Sequence, residues 1–315
     1  MPRGLVRRTL KRQASRAPPP AQTLAPAGQA APHASGPSVA LALGGGGARG
    51  LAHICVLEAF DELGLRPRAI AGASMGAIIG AAYAAGIPAR ELRAHVLART
   101  RRPTETLARL LRARVGRVAD LLKGFGNPVL IDAEIFLDLF WPEAVPDRFE
   151  GLAIPFRTVA TDLLTRAAVV FDAGPLAPAV AASMAIPGLI RPIATGGGLL
   201  IDGGAVNPLP HDLLIGRADR VFAVDVTYGP VVDARSVTQP FEAMFAAAQV
   251  MQGAITAARL KAQPPDLVLR PDVAAFRVLD FFKAKEIFAR ADAVKDEVKR
   301  AIEAMAQGRN TLGAP

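Results

Sequence analysis

Apolar residues fall in two rhythms along this chain, and the alternation between them predicts its elements. Ser38–Leu43 reads as a strand, its unbroken apolar run from Val39 ending in glycines, the pattern of a strand buried on both faces. Leu51, Ile54, Leu57, Glu58 and Leu63 then trace a helix closed by Gly64. Arg68–Ala71 predicts a second strand, with a helix starting at Ser74. Residues 90–123 are helical with a basic face and a break near Pro103, and Ile131–Phe140 is a further helix. Pro155–Thr161 and Ala167–Phe171 read as strands joined by a turn. Ala177–Ala185 reads as a helix stopped by Pro187-Gly188. Leu199–Ile201, Arg220–Val226 and Leu267–Leu269 read as strands, and Asp280–Met305 as one long amphipathic helix. There are no internal repeats. Strands alternating with helices predict an α/β fold, a three-layer α/β/α sandwich on a largely parallel sheet.

The pattern also marks what lies outside the fold. Residues 1–36 are rich in Ala, Pro, Gly and Arg, with no apolar run long enough for a secretory signal. They predict a disordered basic arm. Residues 37–230 are expected to form the core, and 231–315 a C-terminal helical extension completing the same domain. Residues 69–89 carry no charge and space Gly72, Gly76 and Gly80 as a membrane helix pair would. Their Ala/Gly content and Pro88 favour a strand, a sharp turn and a buried helix packed closely on a sheet.

Composition and charge narrow the setting. A chain of 315 residues that is 51% hydrophobic can bury a large core. The single cysteine, Cys55, excludes an internal disulfide and a Cys-rich zinc site, reads as a core residue, and suits the cytoplasm. Net charge is +9, carried by the arm and by residues 90–123. The latter segment is the expected peripheral contact with an anionic membrane. A nucleic-acid partner is not expected, because only two Tyr and one Trp are available to interleave with the basic residues.

Two motifs carry candidate chemistry. Gly72-Ala73-Ser74-Met75-Gly76 fits G-x-S-x-G, in which a tight strand-to-helix turn exposes a nucleophilic hydroxyl. Gly44-Gly45-Gly46-Gly47-Ala48-Arg49-Gly50 follows the first strand, and such a loop can turn backbone N–H groups onto an oxyanion. Arg49 would reinforce that loop or meet a phosphate. The same glycines also fit the dinucleotide fingerprint G-x-G-x-x-G. That reading wants a carboxylate at the end of the second strand, where Gly72-Ala73-Ser74 stands.

The base is less obvious. Of the four histidines only His211 follows a plausible active-site loop. Asp202 is the better candidate: it ends an apolar strand just before Gly203-Gly204. A desolvated carboxylate there can take the serine proton directly.

The glycine loop, the Ser74 elbow and Asp202-Gly203-Gly204, in that order, resemble the patatin-like phospholipase family, especially its small bacterial members. Leu51-Ala52-His53-Ile54, Ala182-Ser183-Met184-Ala185-Ile186-Pro187-Gly188 and Asn207-Pro208-Leu209-Pro210 are similar too. The resemblance covers about residues 37–227. It implies a patatin-like fold, a Ser74–Asp202 dyad, and an oxyanion hole from Gly45, Gly46 and Gly47. It also implies hydrolysis of lipid acyl esters with no calcium or other cofactor. Cys55 departs from the glycine this family often carries there, which predicts a packing change only. A non-catalytic lipid-binding protein on the same fold is the alternative.

Overall fold

The computed structural model describes residues 37–101, 132–229 and 240–307. The expected arm at 1–36, the Pro103 break and most of the basic segment lie outside the described residues.

In chain order the elements are β1 (Val39–Leu43), a 3₁₀ turn at Gly47–Ala52, α1 (His53–Glu62), β2 (Ala69–Gly72), α2 (Met75–Ala84), α3 (Ala89–Thr100) and α4 (Ala133–Phe140). There follow β3 (Phe156–Asp162), β4 (Ala167–Phe171), α5 (Leu176–Ser183), β5 (Ile193–Ala194), β6 (Leu199–Asp202) and β7 (Arg220–Val224). The chain continues through α6 (Pro240–Ala262), β8 (Leu267–Leu269), α7 (Ala284–Ala291) and α8 (Val294–Ala306).

Among the described residues the sheet has eight strands, paired in the order β5-β6-β3-β2-β1-β7-β8, with β4 also on β3. Strands β3, β2, β1, β7 and β8 run parallel, while β4, β5 and β6 pair antiparallel. The sheet is therefore mixed and mostly parallel.

Its two faces differ in side-chain size. Val39, Leu41 and Leu43 of β1 point into a large core shared with α1, α2, α7 and α8. Ala40, Ala42, Ala69, Ala71 and Ala223 line the other face, where small side chains let Leu209, Leu214 and Leu260 of α6 pack closely. This gives the three-layer α/β/α sandwich. The glycine spacing at 72, 76 and 80 belongs to this packing. A Cβ at Gly76 would lie 2.1 Å from Leu43 O, so α2 rests directly on β1.

The expected helix over Asp280–Met305 is two helices, α7 and α8, broken at Asp292-Ala293. The break lets α7 pack on the glycine-loop turn while α8 packs on α1. Beyond 230 the chain is not only helical, since β8 extends the sheet on β7.

Candidate active site

The turn at Ser74 is built from its neighbours. β2 ends at Gly72, and Ser74 takes φ 52°, ψ −121°, a conformation that L residues rarely adopt. A Cβ at Gly72 would lie 2.4 Å from Gly76 O, so glycine is needed for the chain to fold back this tightly. The Ser74 N–H donates to Ser183 Oγ at 3.0 Å, which fixes the strained turn from α5. Ser74 itself is 5% exposed.

Asp202 reaches Ser74 through strand register. One edge of β3 carries β4 along Thr158–Asp162. β2 pairs with β3 over Phe156–Thr158 and β6 over Ala160–Asp162, so these two must share the other edge. They meet end to end. Gly72 lies opposite Thr158 and Asp202 opposite Ala160, two residues or about 7 Å apart along β3. The antiparallel β6 thus delivers its last residue onto the turn that ends β2.

The local bonds hold Asp202 in place. Its N–H donates to Ala185 O at 2.9 Å, and its carbonyl accepts from Thr161 Oγ1 at 2.9 Å. Its carboxylate accepts the Gly204 N–H at 2.7 Å. Burial pushes its pKa up to about 6, partly opposed by hydrogen bonds from the Ser74 hydroxyl and Gly204 N–H.

The glycine loop lies against the serine. A Cβ at Gly45 would stand 3.3 Å from Ser74 Cβ. Its amides are not equivalent, and the expectation for Gly45 is corrected here. Gly45 N–H donates to Pro208 O at 2.8 Å, within the Asn207–Pro210 block, and so is already used. Gly44 N–H is bonded to Val224 O and Ala48 N–H to Val278 O. Between them, the Gly46 and Gly47 amides have no hydrogen-bond partner among the described residues. Both have positive φ, 154° and 56°.

The expectation for Arg49 as an anion contact is also corrected. Arg49 is buried, and its guanidinium donates to Phe276 O at 2.7 Å and Ala274 O at 3.4 Å. It ties the glycine turn to the 270s loop, and burial lowers its pKa. His211 is likewise structural. Its two ring nitrogens lie 2.9 Å from Leu209 O and 2.8 Å from Gln263 O.

Sequence reasoning missed the residues that brace the site. Ser183 was visible only as part of a family-like block. His53 is fully buried, with Nε2 2.8 Å from Gly44 O, and burial lowers its pKa to about 4. A neutral imidazole therefore holds the base of the glycine loop. Gln252 of α6 also escaped notice, although its Nε2 lies 2.6 Å from the place of a Gly204 Cβ.

Away from the site, Cys55, Glu58 and Asp292 lie close enough together to hold a metal. The Arg93 guanidinium already contacts all three, at 3.3 Å from Cys55 Sγ and 2.6 Å from Glu58 Oε2. In the described part of the basic segment, Arg93 therefore faces the protein rather than an outside anion.

Comparison with known proteins gives concordant matches. The family model described as patatin-like phospholipase matches residues 41–215. An uncharacterized NTE family protein of Mycobacterium tuberculosis is 40% identical over 220 residues, covering 67% of this chain and 56% of that protein. The chain thus spans about half the length of these curated relatives. Lysophospholipase NTE1 of Kluyveromyces lactis is 28% identical over 81% of this chain and 18% of its own length. Among solved structures, VipD from Legionella pneumophila matches at 14% identity and a TM-score of 0.40, covering 84% of this chain and 67% of that one.

Proposed function

The chain belongs to the patatin-like phospholipase family, and from that premise we propose that it is a lipid acyl-ester hydrolase working through a Ser74–Asp202 dyad. The observation that carries the reading is the end-to-end meeting of β2 and β6 on β3, which brings the buried Asp202 to the Ser74 turn.

In the first step Asp202 takes the Ser74 proton as Oγ bonds to the ester carbonyl carbon. The carbonyl π pair moves onto oxygen, where the Gly46 and Gly47 N–H groups donate hydrogen bonds to the developing oxyanion. Collapse of this intermediate breaks the C–O bond, and the departing alcohol or lysolipid takes the proton back from Asp202. Water then repeats the sequence on the acyl-enzyme, releasing the fatty acid and restoring Ser74. A base with a pKa near 6 is ionised at neutral pH and still a useful proton acceptor.

The test uses a short-chain nitrophenyl ester and a fluorophosphonate probe. Wild type should hydrolyse the ester and be labelled on Ser74. Ser74→Ala should do neither while keeping its circular dichroism, and Asp202→Asn should lose about 10²–10⁴-fold in turnover. Turnover by Ser74→Ala equal to wild type would reject the assignment.

A further inference from the structure

Two apolar projections stand beyond the rim that holds Ser74 and Asp202. The first is the tip of the β3–β4 hairpin. Asp202 is level with Ala160, and the chain continues past that level to Leu163 and Leu164, about 7–10 Å farther along the strand direction. Both leucines are exposed, at 48% and 65%. The second is the first half of α6. Gln252 sits beside Gly204 at the rim, and α6 then descends to the opposite edge, where Asp266 N–H bonds Val221 O. The turns before Gln252, about 18 Å of helix, therefore rise past the rim. There Met244, Val250 and Met251 are exposed, and no charged residue occurs from Ala243 to Ala258. No described helix is long and apolar enough to cross a membrane. Instead, α6 turns its apolar side chains outward.

Positive charge accompanies the same rim. Arg166 closes the hairpin tip, and Arg191 falls level with Asp202 by the register of β5 on β6; both are exposed, with no ion partner among the described residues.

We infer that the hairpin tip at Leu163-Leu164 and the outer half of α6 are the surface by which the protein seats on an anionic lipid layer, with Ser74 and Asp202 between them. The hydrophobic contacts enter the acyl boundary and the arginines meet lipid phosphate. This deepens the proposed function and rests on it only for the expectation that the ester is held in a lipid layer.

The experiment is vesicle co-sedimentation of the full chain carrying Ser74→Ala, so that hydrolysis does not alter the membrane. Vesicles are phosphatidylcholine alone, or phosphatidylcholine with a third replaced by phosphatidylglycerol. The Ser74→Ala protein should bind the second and bind the first at least tenfold more weakly. Adding Leu163→Asp with Leu164→Asp, or Val250→Asp with Met251→Asp, should weaken binding at least tenfold. The same pairs with Ser74 intact should turn over a soluble short-chain ester at the wild-type rate, which also reports correct folding. Should either pair fail that control, Leu164→Ser and Met251→Gln replace it. Equal binding to the two vesicle types, no binding to either, or binding unchanged by the substitutions would each overturn the inference. So would a dimer that the Val250→Asp, Met251→Asp pair dissociates, since a second copy would then cover the face. Absence of hydrolysis by wild type, with vesicle binding intact, would sink the catalytic reading and leave this one standing.

Discussion

At the level of single residues, the proposed mechanism makes the strain at Ser74 and the burial of Asp202 both costs to stability borne for function. The φ of 52° and ψ of −121° at Ser74 suit glycine far better than any residue with a Cβ. Ser74→Ala and Ser74→Gly both remove the hydroxyl, so comparing them isolates the backbone. We expect the glycine variant to be more stable than the alanine variant by about 1 kcal/mol, with both inactive. A chemical denaturation series on the pair checks this.

Asp202 makes the same trade through its charge. Its pKa rises from the ordinary 3.8 to about 6, so the folded state keeps a proton that the unfolded chain has already released. Stability therefore falls as pH rises between those values, and above pH 6 the ionised carboxylate costs about 2–3 kcal/mol. Asp202→Asn should accordingly stabilise the fold at pH 8 and have little effect at pH 4, while abolishing efficient turnover. For the wild type, the proposed mechanism has kcat/KM fall about tenfold per pH unit below pH 6, because only an ionised Asp202 could accept the serine proton. Melting curves at two pH values and a pH–rate profile read these separately. Burial acts on Cys55 in the same direction, pushing its thiol up to about 12, so it should resist a maleimide until the protein is unfolded.

Between elements, legibility followed contrast in the sequence. β1, β2 and the Ser74 turn were readable because glycines border unbroken apolar runs. α6 was not, because its uncharged, Ala-rich stretch from 243 to 258 gives no polar face against which to read a helical period. The break between α7 and α8 was hidden for another reason. No proline or glycine marks it, and it exists because the two halves pack on different partners. The pairing of Ser74 with Asp202 is an expectation carried by the order of the motifs and the resemblance they support. What the sequence did not carry is the antiparallel sense of β6, which depends on the shared edge of β3.

The glycine loop illustrates the same limit. Four glycines announce a loop that can donate amides, but which amides stay available depends on the carbonyls of Pro208, Val224 and Val278 brought in from later in the chain. His53 completes that arrangement by bonding Gly44 O. Replacing it with alanine leaves a buried carbonyl without this partner and lets the loop shift. His53→Ala should lower kcat by about tenfold or more with little change in KM, and His53→Gln should recover part of the loss. Equal changes in kcat and KM in the two variants would point to general destabilisation instead.

Across the whole molecule, the segment after 230 closes the sandwich rather than decorating it. β8 covers the outer edge of β7, and Ile287, Phe288 and Val298 lie in the same core as β1 and α1. Arg93 of α3 bridges Glu58 of α1 to Asp292, and Lys295 of α8 pairs with Glu58 and Glu62. Arg49 and Ala48 of the glycine turn bond carbonyls at 274–278. A chain ending at residue 230 would expose the β7 edge and open that core. It would also leave Glu58, at 9% side-chain exposure, without Lys295. Uncovered apolar surface and a free strand edge both promote association. The truncated chain should therefore aggregate or melt without a cooperative transition, whereas Arg93→Met in the full chain should cost about 2–3 kcal/mol and still melt cooperatively. A soluble, cooperatively melting 1–230 fragment with esterase activity would mean that the core from 37 to 230 stands alone, with the later helices an addition to it.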